Sequence, residues 1–320
     1  MIKTDNDMKG RRIVYWACLL LAVSCESKNE GIDSVDPVLS ARTVTFLGET
    51  EDVSVLIFGR NSTGFTYQKG VFSGWVNGRL KIPLERGEYK CLFYKSSFVH
   101  TELFPDLREN ETPWENVKIM SRPDPGQKGY VLPADEVFLP SSEVLANTIY
   151  VVPENDTVRS TLTRAVGKII LQLKRGFSES GNIDSLPYAA GSNIMDEIEQ
   201  ISLDITGVGE AVNIAGGLGK ASMEWTASSA DRITSSGFAV FDGPFVFPPA
   251  AGEKTKVGIT LKPKSGSPFP PMSRSVEGNI VRNEKLVITL WLTSTYRFVG
   301  VQVRRDPIQD ETQGDAGLWE

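Results

Sequence analysis

Apolar and polar residues alternate along the second half of the chain in the pattern of β-strands. In the run STLTRAVGKIILQLKR, one face of a strand would carry Thr163, Ala165, Gly167, Ile169, Leu171 and Leu173, and the other face would carry Arg164 and Lys168. Alternation with a period of two predicts a strand with one buried and one solvated face. We therefore expect Ile169 to lie in a core and Arg164 to lie in water.

Further strands are predicted on both sides of this run. They are short, rich in β-branched and aromatic residues, and broken by Gly, Pro or Asn every 8 to 12 residues or so, at roughly the spacing of a β-sandwich. They cover residues 43–46, 53–58, 80–83, 88–94, 198–205, 237–247, 256–261, 285–293 and 297–303. Residues 67–75 and the charged, Pro-rich stretch 104–127 are predicted to be loops. Helical periodicity is scarce, so the predicted fold class is all-β.

A polar, turn-forming segment at residues 152–157 divides this series of strands in two. We predict one β-sandwich domain over residues 43–155 and a second over residues 156–305. The 320 residues of the chain are enough for two domains of ordinary size, each with its own core. Residues 306–320 are acidic and lack apolar alternation, so they are predicted to be a disordered tail.

The first 24 residues have the pattern of a secretory leader. Basic residues at positions 9, 11 and 12 precede an apolar run of 11 residues at 13–23, which as a helix would cover only about 16 Å and should not span a bilayer. The run ends in Ala22-Val23-Ser24-Cys25. Small residues before a cysteine fit a lipoprotein leader, whereas Ala22 and Ser24 also suit an ordinary signal peptidase. We predict lipidation at Cys25 and a solvated tether over residues 25–42.

Charge, cysteine and histidine content limit the functions of the chain. It carries 34 Lys+Arg against 40 Asp+Glu, and no basic cluster follows the leader, which excludes a nucleic-acid footprint. Cys91 would be the free thiol of the lipidated mature chain, and its apolar surroundings predict a buried hydrophobe. His100 is the only histidine, so histidine-rich metal sites are excluded and a histidine-based catalytic site has at most one base. We predict no enzymatic activity, no cofactor and no metal.

Three other features have ordinary structural interpretations. Glu109, Glu111 and Glu115 lie in a stretch with Pro113 and Trp114 and are interpreted as a solvated loop. The glycine-rich run at 207–219 lacks the Lys-Ser/Thr pair of a phosphate loop and is interpreted as a connection between strands. Four tryptophans are scattered along the two blocks, which favours packing over a sugar-binding platform; they are Trp75, Trp114, Trp225 and Trp291.

Two short motifs flank the predicted domain boundary. Leu84, Gly87 and Tyr89 fit the form L-x-x-G-x-Y, and residues 162–168 fit L-T-R-A-V-x-K. In these motifs, in its leader and in the late strand AVFDGPFVFPP, the chain resembles the fimbrillin superfamily of type V pili, in particular its lipidated anchor and minor subunits. The resemblance covers nearly the whole mature chain. It implies two tandem transthyretin-like (Greek-key) β-sandwich domains, an outer-membrane lipoprotein, and assembly by strand exchange with other fimbrial subunits.

The polymerising subunits of that family donate an apolar strand after proteolysis at a basic residue. Arg42 and Arg60 are the nearest candidates for such cleavage here, but exposed arginines before strands are common. The acidic tail also lacks the apolar alternation of a donor strand. These points favour an anchor, cap or tip subunit.

Three Asp-Ser/Thr-apolar triplets look like the O-glycosylation acceptor of secreted proteins from bacteria that carry fimbrillins. They make Ser34, Thr157 and Ser185 candidate glycosylation sites. The pattern is short and permissive, and triplets of this kind also arise by chance.

The sequence therefore predicts a non-enzymatic, surface-exposed lipoprotein of the outer membrane that anchors or decorates a fimbria. The alternative is a surface glycan-binding lipoprotein of a polysaccharide-uptake system, which would share the leader, the tether and the tandem sandwiches. Coplanar Trp and Tyr side chains on an exposed face would favour the alternative. An apolar groove between sheets would favour the fimbrial subunit.

Overall fold

The computed structural model describes residues 42–47, 53–85, 87–140, 149–151, 157–159, 161–175, 197–228, 233–235, 238–267, 270–293 and 297–309. The predicted leader and nearly all of the tether lie outside the described residues, as does the end of the predicted tail. Cys25, Ser34 and Ser185 lie outside them as well. In the described part of the chain, no helix is long and apolar enough to cross a membrane.

The described residues of the first half form nine strands and one 3-10 turn at Trp114–Asn116. The strands are β1 (Arg42–Leu47), β2 (Ser54–Asn61), β3 (Gly64–Val71), β4 (Arg79–Leu84), β5 (Gly87–Tyr94), β6 (Thr101–Phe104), β7 (Lys118–Ser121), β8 (Phe138–Pro140) and β9 (Ile149–Val151).

The described residues of the second half form thirteen strands. They are β10 (Thr157–Arg159), β11 (Leu162–Arg164), β12 (Gly167–Arg175), β13 (Ile198–Val208), β14 (Ala211–Val212), β15 (Gly217–Leu218), β16 (Ala221–Ser228), β17 (Ile233–Ser235), β18 (Phe238–Val246), β19 (Thr255–Pro263), β20 (Met272–Gly278), β21 (Glu284–Leu292) and β22 (Phe298–Pro307). The predicted all-β fold class is confirmed.

Two facing sheets enclose the main core of the second half. One has five strands in the order β17-β18-β12-β21-β22, and the other has four in the order β16-β13-β19-β20. Alternate residues of β12, among them Ile169 and Leu171, point into the core between the sheets and are fully buried. The predicted core position of Ile169 is therefore confirmed.

The other face of β12 is not solvated as predicted. Ile170, Val240 and Val287 form a small buried cluster there. Next to it, the Thr289 hydroxyl donates a hydrogen bond of 3.0 Å to the buried Gln172 side chain. Because β12 is a central strand, between antiparallel β18 and parallel β21, side chains of both neighbours, Val240 and Val287, pack against Ile170 on this face.

The prediction that Arg164 lies in water is wrong. The predicted strand at 163–173 is interrupted at residues 165–166, and Arg164 belongs to the short strand β11, which pairs with β8. The Arg164 side chain is only 8% exposed. Its Nε atom donates to Glu136 Oε1 at 2.5 Å, its Nη1 atom donates to Asn283 Oδ1 at 2.9 Å, and its guanidinium lies 5.1 Å from the ring centre of Phe138.

In the first half, the sheet β3-β2-β5-β9 is covered on both faces. Alternate residues of β2 and β5, such as Ile57 and Cys91, pack against β4, while Leu56 and Leu92 belong to a second core that includes residues of β7 and β8. Two segments predicted as loops contain strands, β3 and β7. The residues of β3 are mostly half-buried, so its sequence lacks the contrast between apolar and polar positions that marks a strand.

Short strands of the second half complete sheets of the first half. β10 pairs with β1, β11 pairs with β8, and the β14–β15 hairpin pairs through β14 with β7. The glycine-rich run at 207–219 forms this hairpin, so its interpretation as a connection between strands is confirmed. A Cβ atom at Gly217 would lie 1.7 Å from the Pro248 carbonyl oxygen, which requires glycine there. The domain boundary near residue 155 remains a prediction.

Candidate functional site

The last strand of the fold, β22, forms an open edge of the five-stranded sheet. It pairs with β21 along its length, and no described strand pairs with its other side. The backbone amides and carbonyls that point away from β21 are therefore available to a further strand. Across the sandwich, β22 lies next to β20, the edge strand of the four-stranded sheet.

Burial falls sharply from β21 to β22. Ile288 of β21 is fully buried in the core, whereas its cross-strand partner Val303 is 37% exposed. Leu290 is also fully buried, and its partner Val301 is half-buried at the rim of the same core. Side chains that face the core thus remain partly exposed at β22, and an added strand would cover them.

The two halves of β22 differ in charge. Residues 298–303 (FVGVQV) carry no charge, whereas residues 304–307 are Arg-Arg-Asp-Pro. Charged residues and proline discourage strand pairing at sheet edges. In that half, Arg304 Nε donates to Asp306 at 3.0 Å and Arg305 lies 3.4 Å from Glu284. The open part of the edge is therefore residues 298–303, which we call the β22 edge.

Three other edge strands in the described part of the chain, β3, β16 and β4, are partly covered or blocked. The Tyr67 amide of β3 donates to the Thr112 carbonyl at 2.8 Å, and the Val131 amide donates to the Ser222 carbonyl of β16 at 2.9 Å. On β4, Pro83 lacks an amide proton, and its carbonyl accepts a hydrogen bond from Lys69 Nζ at 2.8 Å. The sequence predicted a strand at 297–303 but carried no signal that this strand would lie at an edge.

The predicted modification site Thr157 and the thiol of Cys91 have contrasting surroundings. Thr157 is exposed on β10, where a glycan could be attached, but nothing in the structure tests that modification. Cys91 is buried, and the loss of hydration raises the pKa of its thiol to about 12. It therefore packs as a hydrophobic residue, as predicted, and is not a reactive nucleophile.

His100 lies in an exposed loop that is held by Asp135. The Asp135 carboxylate accepts hydrogen bonds from the backbone amides of His100 and Thr101, at 2.9 and 3.0 Å, and from the Thr101 hydroxyl at 2.7 Å. Burial alone would raise the pKa of Asp135, but these hydrogen bonds outweigh it and hold the pKa below its ordinary value. The arrangement fixes a loop.

The acidic residues of the predicted loop at 104–127 lie on the surface. Glu109, Glu111 and Glu115 are all exposed, and Glu111 forms an exposed ion pair with Arg108 at 3.7 Å. In the described residues, no group of three or more His, Cys, Asp or Glu side chains could hold a metal ion. The interpretation of Glu109, Glu111 and Glu115 as residues of a solvated surface loop is confirmed.

The four tryptophans considered as a sugar-binding platform, Trp75, Trp114, Trp225 and Trp291, do not form one. Trp75 is buried and donates its indole proton to the Val53 carbonyl at 2.6 Å. Trp114 packs edge-on against Phe58, and the Lys90 ammonium lies over its ring at 5.5 Å. Trp225 packs against the main core, and Trp291 is half-buried on β21. Their rings serve packing and are not aligned on one exposed face.

Two shallow clefts lie beside the 249–254 turn. One has a volume of 250 Å³ and includes Asn279 and Ile280 in its lining. The other has a volume of 420 Å³ and includes the side chains of Lys220, Lys254 and Lys256. Neither is lined by an aromatic residue. These clefts therefore lack the stacking surface on which sugar rings usually bind.

Comparison with known proteins finds the fold of this chain in several solved bacterial structures. No family profile and no curated protein matches the chain. Similar solved structures include a candidate polysaccharide-binding protein from Bacteroides thetaiotaomicron, with a TM-score of 0.53 and 12% identity over 85% of this chain and 99% of that one. A candidate adhesin from the same species has a TM-score of 0.52 and 9% identity over 85% of this chain and 100% of that one. The fimbrial anchor protein Mfa2 from Porphyromonas gingivalis has a TM-score of 0.50 and 11% identity over 83% of this chain and 97% of that one. At these identities, the likeness shows the fold alone.

Proposed function

We propose that this protein is a non-enzymatic subunit of a fimbria, of the fimbrillin superfamily, that anchors or decorates the fibre and assembles by β-strand addition. The observation that carries the proposal is the β22 edge, where an uncharged strand segment with one unpaired side borders an incompletely covered core. An added strand would gain main-chain hydrogen bonds along the edge and would bury Val301 and Val303. Its partners are other fimbrial subunits.

The comparison with the Mfa2 fimbrial anchor supports this proposal, because the two chains share a fold over most of their lengths. The LTRAV motif and the lipoprotein leader point to the same branch. We further propose that residues 43–155 and 156–305 are two tandem transthyretin-like domains. The strands that cross between them would hold the domains together.

Maturation by cleavage after Arg60 is disfavoured, which supports an accessory role over that of a shaft subunit. Arg60 lies at the end of β2, and its Nη1 atom is 2.5 Å from Glu88 Oε2 on β5. Cleavage after Arg60 would remove β1 and nearly all of β2, whose residues 55–58 are fully buried in two cores. Loss of those residues would cost much of the apolar burial in the first half.

Attachment to the outer membrane would go through lipid on Cys25. In the lipoprotein pathway several acyl chains are attached, and together they give stable membrane residence, which a single chain does not. We expect Cys25→Ala to release the protein from the membrane or to leave it as a precursor. Fractionation and mass spectrometry of the mature terminus would test this, and an unmodified Cys25 at that terminus would contradict it.

The alternative, a glycan-binding lipoprotein, has one observation in its favour. The candidate polysaccharide-binding protein from Bacteroides thetaiotaomicron has the same fold. Against it, the described tryptophans are packed and the two clefts lack aromatic residues. The fimbrial function therefore has the stronger support.

A matched pair of substitutions on β22 tests the proposed function. Val303→Lys would place a charge on the core-facing side of the β22 edge, where an added strand would have to cover it. Gln302→Lys places the same charge on the outer face of the sheet, the face of its cross-strand partner Thr289. Because Val303 is partly exposed in the free subunit, its variant should still fold. Tagged protein would be purified from cells that produce the fimbria, and known fimbrial subunits would be quantified by mass spectrometry. We expect fimbrial subunits to co-purify with Gln302→Lys but not with Val303→Lys.

Two outcomes would contradict the proposal. One is co-purification of fimbrial subunits with Val303→Lys at the level of the unmodified protein. The other is a deletion strain with normal fimbriae that no longer grows on one polysaccharide, which would establish the glycan-binding alternative.

A further inference from the structure

The first strand of the fold is held on both sides. β1 lies in the middle of a three-stranded sheet with the order β10-β1-β4. It pairs with β4 in antiparallel orientation along six residue pairs, and with β10 in parallel orientation along three, from Thr45 opposite Thr157 to Leu47 opposite Arg159. To leave the fold, β1 must break both ladders.

The parallel partner of β1 leads directly into the second half of the chain. Only two residues separate β10 from β11, and two more separate β11 from β12, the central strand of the five-stranded sheet. Along this path, β11 pairs with β8, Arg164 bonds to Glu136 and Asn283, and the Asn283 amide donates to the Val166 carbonyl at 2.9 Å. The path from β10 to the main core is thus short and anchored.

A load between the start of β1 and the second half acts along the β1–β10 ladder. It pulls β1 from its N-terminal end and β10 from its C-terminal end. In a parallel pair these two ends lie at opposite ends of the ladder, so the strands are drawn past one another and the hydrogen bonds are strained together. In an unzipping geometry the bonds would break one after another.

We propose that the β1–β10 ladder is a shear clamp, which transfers tension from the N-terminal tether directly to the second half of the protein. The inference rests on the proposed function, in which residues before β1 lead to a lipid anchor and a fibre attaches at the β22 edge. The clamp lets the load reach the large core of the second half without first passing through the sheet β3-β2-β5-β9.

Single-molecule pulling tests the clamp. The full chain would be held by its N-terminus and by a short, enzymatically labelled tag inserted between Ser265 and Gly266, in the exposed turn between β19 and β20. The force at which β1 detaches would be measured at constant pulling speed, because forced unfolding reports the unfolding rate. Circular dichroism and urea midpoints would confirm that each variant is folded.

Two proline substitutions provide a matched pair. Amides of adjacent strand residues point to opposite sides, and β10 pairs only with β1 among the described strands. Of Thr157→Pro and Val158→Pro, one therefore loses an amide that faces β1 and the other loses an amide that points away from β1. We expect one variant to lose most of the detachment force and the other to keep it. If neither variant loses force, or both lose it equally, the clamp is refuted.

This result is separable from the proposed function. A chain that shows the clamp but never associates with fimbrial subunits would refute the fimbrial function and leave the clamp in place. If the protein co-purifies with fimbrial subunits but neither proline substitution lowers the detachment force, the clamp is refuted and the fimbrial function stands.

Discussion

Replacement of Arg164 by alanine should destabilise the protein strongly, even though the sequence pattern assigns this residue to a solvated face. The guanidinium bridges β11 to Glu136 in the first half and to Asn283 in the second. It also lies over the ring of Phe138. Alanine would remove all three interactions at once.

The magnitude follows from the exposure of the partners. A hydrogen bond to a charged group contributes about 1.5 to 3 kcal/mol, and both bonds of the Arg164 guanidinium are of this kind. The Glu136 side chain is 41% exposed, so water would replace part of what it loses. We therefore expect Arg164→Ala to lower the free energy of unfolding by about 2 to 4 kcal/mol.

Urea denaturation followed by circular dichroism would measure this change. Arg108→Ala is the matched control, because Arg108 also forms an ion pair, with Glu111 at 3.7 Å, but both side chains are well exposed. Such surface pairs contribute ~0 to 1 kcal/mol, so the control should change stability little. Arg164→Lys keeps the charge but loses the planar fork, and it should fall between the other two variants.

A loss of less than about 0.5 kcal/mol for Arg164→Ala would refute this reasoning, since surface substitutions commonly reach that value. It would mean that the buried position of Arg164 does not contribute to stability.

Two further predictions concern the cores and the loop at His100. Ile169→Asp should lower the free energy of unfolding, measured by urea denaturation, by about 4 kcal/mol or more, because it buries an unpaired charge. Ser275→Asp, at an exposed position of β20, should change it by less than about 0.5 kcal/mol. Similar losses in the two variants would contradict the assigned core. The folded-state pKa of Asp135 lies below its ordinary value of about 4. The Asp135 carboxylate therefore contributes fully to stability above about pH 4, and this contribution is lost as the pH falls through the folded-state pKa. Asp135→Asn should therefore be less stable than the unmodified protein at pH 7, and the difference should shrink on acidification; a constant difference in urea denaturation between pH 7 and pH 3 would contradict this.

The local pattern was enough to predict several features of the fold. The alternation around Ile169 identified a strand and its core-facing side, and the apolar surroundings of Cys91 identified a buried thiol. The glycine-rich run at 207–219 was recognised as a connection because it lacks the residues of a phosphate loop. These features depend on residues close together in sequence, where side-chain period and local composition are directly informative.

The positions of Arg164, of the outer face of β12 and of the β22 edge were decided by the tertiary structure alone. Alternation tells which residues of a strand share a face, but it does not tell what covers that face or which strands lie alongside. Arg164 is buried because Glu136 and Asn283, 28 and 119 residues away in sequence, meet it in space. Val303 is exposed because β21 is the only described strand that pairs with β22. Both outcomes depend on pairings between distant segments, and such pairings leave no periodic trace in either strand.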